Sequence, residues 1–253
     1  VKGKGRISDN AAITAFINQK EADQAPYSIP ELDFISGYTG DGGLVNQGVS
    51  SRGVLYEYYT PFPIVEAMWA LAKKYGFTRG KILEPSCGIG RFLRYVNPAE
   101  SSVDAYEFSK DNKTSFIIAK RCFPWANITN NYFESIFYSG NKRVKSVTPS
   151  YDLVVGNPPY GKFTGFYAGD KREGGLFPGS KYDQYFIWAG LQLLKPGGLL
   201  VFVIPTNFLS GGGDVKFRDW ISDNSVLLDA YRLPVGTFTA TDIVTDIIVL
   251  KKL

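Results

Sequence analysis

The chain contains no histidine, two cysteines and one methionine among its 253 residues. Without histidine, a Ser-His-Asp or Cys-His nucleophile, an imidazole general base and His-ligated zinc are all excluded. Cys87 and Cys122 stand 35 positions apart, which gives neither a CxxC metal pair nor a dense disulfide framework. Sparse cysteine of this kind reads as a reducing, cytoplasmic setting. Long apolar runs are missing too: the longest, residues 197–205, is far short of the ~20 residues of a bilayer span. No basic segment followed by an apolar one opens the chain, so neither a membrane anchor nor a leader is expected. Chemistry falls to carboxylates, amides, aromatic rings or a cofactor, with no metal site expected.

What is present suits a folded domain. Apolar residues make up 44% and aromatics 15%, enough at this length for a core that needs no covalent staple. Lys and Arg number 28 against 24 acidic residues, and the net charge of +4 permits a polyanionic partner without demanding one. The chain begins at Val1 and its one methionine is Met68, which fits a segment of something longer or a chain that has lost its initiator.

Residues 1–25 are polar, with a short helix marked by Ile13, Phe16 and Ile17 at i, i+3 and i+4 and capped by Ser8 or Asp9. Residues 36–53 hold six glycines in 18 positions and read as loop. Residues 1–50 are thus an attached arm and Gly-rich loop, and 51–253 the main domain. There a helix pattern at 61–75 leads to a strand at 81–84, a glycine turn and a helix pattern from Arg91. Further strands are expected at 102–107, 127–129, 151–156, 199–204, 227–232 and 246–250. Alternation of strands and helices implies a parallel sheet covered on both faces. The last two strands are separated by residues 233–245 without a helix pattern, which suits an antiparallel return better than a right-handed crossover. The expected fold is α/β, a Rossmann-like doubly wound sheet of seven strands ending in an antiparallel hairpin. The loop at 161–181 stands out for its six glycines, three phenylalanines and one tyrosine; loops of such length inside a domain are usually functional or disordered.

Three segments carry chemistry. In Glu84-Pro85-Ser86-Cys87-Gly88-Ile89-Gly90 a strand ends in a carboxylate and a glycine turn, the way open α/β sheets bind nucleotides. It is neither GxGxxG nor a P-loop, and Glu84 suits a ligand with an ammonium group better than a pyrophosphate. A plain tight turn is the alternative. Glu107, ending the next strand 23 residues on, has the spacing of an acid that binds both ribose hydroxyls; alone it reads more often as a solvated strand-end charge, and following Glu84 and a glycine turn that order reverses. Then Asn157-Pro158-Pro159-Tyr160 follows an apolar strand. The prolines fix the backbone, so that the Asn157 side-chain oxygen and the Pro158 carbonyl form a rigid pair of acceptors for an exocyclic amino group. The Tyr160 ring stacks on the ring bearing it, and no role is assigned to its hydroxyl. An ordinary Pro-Pro turn is the alternative here.

On these residues, positions 36–253 resemble the amino-group DNA methyltransferases that use S-adenosylmethionine, specifically the adenine-N6 enzymes whose cofactor motifs precede the catalytic one. Asn157-Pro158-Pro159-Tyr160 matches the catalytic tetrapeptide. The resemblance implies a class I methyltransferase fold, S-adenosylmethionine as cofactor, and DNA as partner in a restriction-modification or mobile-element setting. It also implies roles. Tyr59, Thr60 and Pro61 would close over the methionine part of the cofactor, with Glu84, Ser86, Gly88, Gly90, Glu107 and Asn157 around it. The third cofactor motif normally offers an acid to the adenine; here Asn131 or Glu134 takes that place, and Phe133 would stack on the ring. Leu194-Lys195-Pro196-Gly197-Gly198 is similar to the turn before the family's fifth strand. Phe238, in the terminal hairpin, would face the target base opposite Tyr160. A nearer similarity is to the methylase segment of large helicase-methylase proteins, in which Asn10-Ala11-Ala12-Ile13 and Tyr38-Thr39-Gly40-Asp41-Gly42-Gly43-Leu44 lie upstream, with Asp41 where those proteins carry Trp. No separate target-recognition domain is found within the 253 residues, so a neighbouring domain or subunit is expected to read sequence.

An aromatic amine is a poor nucleophile because its lone pair is delocalised into the ring. Two hydrogen bonds accepted from the NH2 group localise that pair, and positioning supplies much of the remaining rate. The expected reaction is methyl transfer to adenine N6 in DNA, the base flipped out and stacked, with Lys162, Lys171, Arg172 and Lys181 of the long loop reaching phosphates. The competing readings are another planar amino group, a protein glutamine amide or RNA adenine, and a catalytically silent nucleic-acid-binding subunit.

Overall fold

The structure is a computed structural model that describes residues 2–40, 59–108, 113–140, 142–144, 147–163, 177–210, 215–238 and 243–253. In chain order its strands are β1 (Gly80–Glu84), β2 (Ser101–Tyr106), β3 (Asn127–Thr129), β4 (Tyr138–Ser139), β5 (Lys142–Arg143), β6 (Tyr151–Gly156), β7 (Leu194–Pro205), β8 (Ser225–Arg232) and β9 (Thr245–Lys252). Seven form one sheet in the order β3-β2-β1-β6-β7-β9-β8, and β4 and β5 pair apart from it. Neighbours from β3 to β7 are parallel, whereas β9 runs antiparallel to both β7 and β8. The doubly wound sheet with its antiparallel terminal hairpin is therefore present as expected. Strand order reverses between β1 and β6, so the crevice outside their carboxyl ends is where a ligand fits such a sheet.

Alternation along the strands divides the core in two. Leu199, Val201 and Val203 of β7 face one side with Leu153 and Val155 of β6, while Leu200, Phe202 and Ile204 face the other with Val154. Helix α3 (Phe62–Lys74) covers the first face through Val65, Met68, Trp69 and Ala72, spaced i, i+3, i+4 and i+7. The Trp69 indole donates to the Phe92 carbonyl at 3.1 Å, fixing this helix to the segment that follows the β1 turn. The second face is covered by α5 (Tyr182–Leu193), which is buried nearly throughout. It lies flat on the sheet because Gly190 has no side chain; a Cβ there would meet Leu200 at 2.9 Å and Val154 at 3.3 Å.

Two local expectations change. The pattern from Arg91 gives only a 3-10 turn, Leu93–Tyr95, because Asn97 precedes Pro98 and such a residue disfavours helical backbone. At the N-terminus, α1 (Lys2–Ala22) is 21 residues long, so Ser8 and Asp9 lie inside it rather than capping it. It turns back into α2 (Ile29–Ser36), where Glu31 reaches to the Ser28 backbone N–H at 2.7 Å. Ile13 and Ile17 of α1 and Ile35 of α2 bury against Ile118 of α4 (Thr114–Cys122). Arg121 of α4 also makes two bonds to Glu21, at 2.9 and 2.7 Å. The segment read as an attached arm is thus docked, and its apolar stripe is what docks it. Asp41 to Leu44, and most of the Gly-rich loop, lie outside the described residues. Among the described residues no helix is long and apolar enough to cross a membrane.

Ile17 is fully buried, and truncating such a side chain generally costs about 2–5 kcal/mol. Ile17→Ala is expected to lower the midpoint of urea unfolding accordingly; an unchanged midpoint would mean that α1 is not part of the cooperative unit.

Candidate functional site

β1 delivers Glu84 to the carboxyl edge of the sheet, where it is 1% exposed and its Oε2 has no hydrogen-bond partner among the described residues. Burial, and after it the charge of Glu107, pushes this carboxyl well above the usual carboxylate range. The chain then turns sharply. Cys87 N–H donates to the Tyr106 carbonyl at 2.8 Å, and Gly88 N–H donates to Glu107 Oε2 at 2.8 Å. Gly88 has φ +54°, and a Cβ there would lie 2.5 Å from the Tyr59 ring, so glycine is required both by the backbone and by the ring that covers it. Glu107 N–H donates to the Thr129 carbonyl at 3.0 Å, which holds the acid level with the end of β3. The Cys87 thiol is buried and pushed up, first by burial and then by Glu84 and Glu107, which keeps it protonated and inert.

Tyr59, Thr60 and Pro61 lie over this turn because Arg91 holds them there. Its Nη1 donates to the Thr60 carbonyl at 3.0 Å and the Tyr59 carbonyl at 3.4 Å, and its guanidinium sits 5.5 Å from the Tyr59 ring and 5.0 Å from that of Phe62. The Tyr59 hydroxyl meets Ser115 Oγ at 2.8 Å. Sequence reasoning used Arg91 only as a helix start; the signal available was a cation directly after a glycine turn with aromatics upstream.

The tetrapeptide stands at the end of β6, across the reversal in strand order. Ser86 Oγ donates to the Asn157 carbonyl at 3.2 Å, so the β1 turn and the tetrapeptide touch. Pro158 is buried and Pro159 half-buried. The Tyr160 hydroxyl, left unassigned from the sequence, donates to Asn157 Oδ1 at 2.6 Å and approaches the Val203 carbonyl at 3.4 Å. An amide oxygen has two lone pairs, so this bond orients the Asn157 amide. Burial, then the charge of Asp183, pushes the Tyr160 phenol well above its ordinary value, so it remains a donor.

Two aromatic assignments also change. Phe133 is 2% exposed and packs against Tyr106 and Phe186 at 5.7 and 5.0 Å, as a core side chain. The rings at the ends of β2 and β3 are instead Phe108 and Tyr132, stacked with centroids 3.5 Å apart. Each directly follows a residue already singled out, Glu107 and Asn131, and that adjacency was the missed signal. Asn131 accepts the Tyr132 N–H at 2.8 Å, and Glu134 is buried. Phe238 is 6% exposed in the cluster that contains Met68 and Leu233; it packs as a core side chain. Lys162 and Lys181 face one another across an isolated antiparallel bridge, with Phe163 N–H donating to the Ser180 carbonyl and Tyr182 N–H to the Gly161 carbonyl, both at 2.9 Å. The base of the long loop is therefore closed. Lys171 and Arg172 lie outside the described residues.

Known proteins are similar to this chain in sequence and fold. The model of the Eco57I restriction-modification methylase family matches residues 94–234, more than half of the chain. "Defense against restriction protein B" of Escherichia phage P1 is 32% identical over 232 residues, covering 91% of this chain and 9% of that protein. The methylase subunit of the type I restriction enzyme MpnII from Mycoplasma pneumoniae is 26% identical over 221 residues, 78% of this chain and 40% of the subunit. The chain thus spans less than half the length of each. Among solved structures, one from Listeria monocytogenes, described as a class I S-adenosylmethionine-dependent methyltransferase, superposes with a TM-score of 0.61 at 19% identity, over 80% of this chain and 63% of its own. The chain belongs to the Eco57I restriction-modification methylase family, on the class I methyltransferase fold.

Proposed function

We propose that this chain binds S-adenosylmethionine beside Glu84 and Glu107 and methylates the N6 amino group of adenine in DNA. The observation that carries the reading is the 3.2 Å bond from Ser86 to Asn157, which joins a turn fitted to the cofactor to a platform fitted to an aromatic amine. The residues suit the cofactor chemically. A carboxyl that is 1% exposed with an unpartnered oxygen calls for a cation, which the cofactor's ammonium provides, and Glu107 would take the ribose hydroxyls. Phe108 and Tyr132 would offer apolar faces to its adenine. When bound, the cofactor supplies a methyl group activated by a sulfonium.

Asn157 Oδ1 and the Pro158 carbonyl accept the two amino hydrogens of the target and draw its nitrogen toward tetrahedral geometry. Tyr160 supports the base by stacking and keeps Asn157 aligned through its hydroxyl. Closure of Tyr59 over Gly88 excludes water from the cofactor side. A base in a duplex must first leave the stack, at a cost of a few kcal/mol; the proton released from the product passes to solvent. One relative is a subunit of a larger restriction enzyme, and here too a further domain or subunit would read the DNA sequence, with Lys162 and Lys181 contributing to phosphate contact.

The direct test is incubation of labelled cofactor with duplex DNA, single-stranded DNA, RNA and protein, followed by nucleoside and amino-acid analysis. N6-methyladenine in DNA is expected. Label confined to RNA or to glutamine would reject the substrate assignment.

Asn157→Ala is expected to abolish transfer with cofactor affinity unchanged by calorimetry. Tyr160→Phe should cost up to about tenfold in turnover, the worth of one net hydrogen bond. Tyr160→Ala should cost more, because base stacking is worth about 1–3 kcal/mol. Equal losses for the two tyrosine variants in steady-state assays would rule out stacking.

Glu84 gives a pH prediction. Its carboxyl is held protonated above the usual range, whereas an ammonium partner favours the ionised form. Cofactor binding should then release a proton, and affinity should rise with pH until the free-state pKa is passed. Calorimetry in two buffers of different ionisation enthalpy reads this release, which Glu84→Gln should remove. Binding without proton release in the unaltered protein would exclude Glu84 as the ammonium partner.

A further inference from the structure

The β1 turn is held from outside the sheet as well as from within it. Ile89, between Gly88 and Gly90, is 4% exposed and belongs to one cluster with Ile13 and Ile17 of α1, Ile35 of α2, Tyr38 and Ile118. The Tyr38 ring meets that of Tyr59 at 6.2 Å, and Tyr59 is the ring that covers Gly88. The helix pair therefore reaches the turn by two routes, through Ile89 from below and through Tyr38 and Tyr59 from above.

Both routes depend on how residues 38–40 are seated on α1, and one side chain seats them. Asn10, 5% exposed, donates from Nδ2 to the Gly40 carbonyl at 2.6 Å. Its Oδ1 accepts from Thr39 N–H at 3.0 Å and Thr39 Oγ1 at 3.1 Å. These are the two upstream motifs of the sequence, and they meet 30 residues apart. Gly40 is buried with φ +77°, a backbone conformation that favours glycine. Loss of a partner at a buried backbone group leaves that group unsatisfied, which is costlier than the bond alone suggests.

We infer that Asn10 is a positioning residue for the cofactor site: by fastening residues 39 and 40 to α1 it fixes Tyr38, and through Tyr59 and Ile89 it sets the shape of the turn at 88–90. Docking of the helix pair and binding of the cofactor are then coupled, and coupling in binding is reciprocal. The inference rests on the cofactor reading given above.

The test uses the full chain with S-adenosylmethionine and duplex DNA. Asn10→Ala is expected to raise the cofactor Kd by about fivefold or more, the lower end of usual coupling strengths. The cofactor KM should rise with it, while kcat at saturating cofactor and the KM for DNA stay unchanged. In the unaltered protein, cofactor should slow hydrogen exchange along α1, and the variant should lose that effect. Glu31→Gln removes the ion pair to Lys20 at 2.8 Å within the same helix pair but touches neither route, and should leave the Kd unaltered. Thr39→Val deletes one of the three bonds and provides a milder variant should Asn10→Ala not fold; its Kd should shift in the same direction. Failure of the unaltered protein to bind cofactor would reject the proposed function itself. Normal binding there with an unshifted Kd in the Asn10 and Thr39 variants would overturn this inference, as would equal weakening by Glu31→Gln, which would mark general loosening.

Discussion

At the end of β1 a carboxyl group is removed from water with no positive side chain set beside it among the described residues, and a second carboxylate stands nearby. Such an arrangement is unfavourable by itself, because burial and like charge both oppose ionisation. The surrounding turn accepts that cost and distributes it: Glu107 is satisfied by the Gly88 N–H, Cys87 is kept neutral, and Tyr59 closes the top. Glu84 keeps a buried oxygen with no partner among the described residues. A buried carboxyl held in a preformed turn would meet a cationic partner with little rearrangement, giving up its proton as the partner arrives, and the geometry of Arg91, Tyr59 and Ser86 follows from the need to keep that turn closed.

The strand reversal between β1 and β6 brings this turn against the tetrapeptide. Parallel strands end at one edge, so Glu84 and Asn157 arrive there from adjacent strands, and the Ser86 hydroxyl spans what separates them. Rigidity comes from the buried helices on either side. Gly190 lets α5 approach the sheet closely, and Trp69 fastens α3 to the chain just beyond the turn.

Much of this was legible in the sequence wherever a single periodicity governs. β3 and β6 have the expected bounds because short apolar runs are flanked by clear turn residues, and the antiparallel end was readable from a helix-free connection too long for a tight turn. The site was legible as motifs but not as contacts. Phe133 and Tyr132 differ by one position, and which of them turns inward is decided by the 3-10 turn at Phe133–Phe137, for which no periodic signal exists. The Tyr160 hydroxyl was given no role because a bond between residues three apart depends on how the two prolines aim the chain. The length and docking of α1 were hidden for a similar reason: Gly3 and Gly5 lower helix propensity, while the partners of its apolar stripe lie some 75 to 100 residues away, at Ile89 and Ile118.

The insertion of β9 between β7 and β8 has a consequence for synthesis. β8 precedes β9 in the chain, yet among the described residues its one hydrogen-bonding neighbour in the sheet is β9. As the polypeptide emerges, β8 has no partner strand among the described residues until residues 245–252 have followed it, and its backbone edge is unpaired meanwhile. The half of the sheet that holds the β1 turn and the tetrapeptide is complete at β7, well before that moment. The chain thus finishes its chemical centre before it finishes its sheet. The interval between the two is when an unpaired strand edge is open to misassociation.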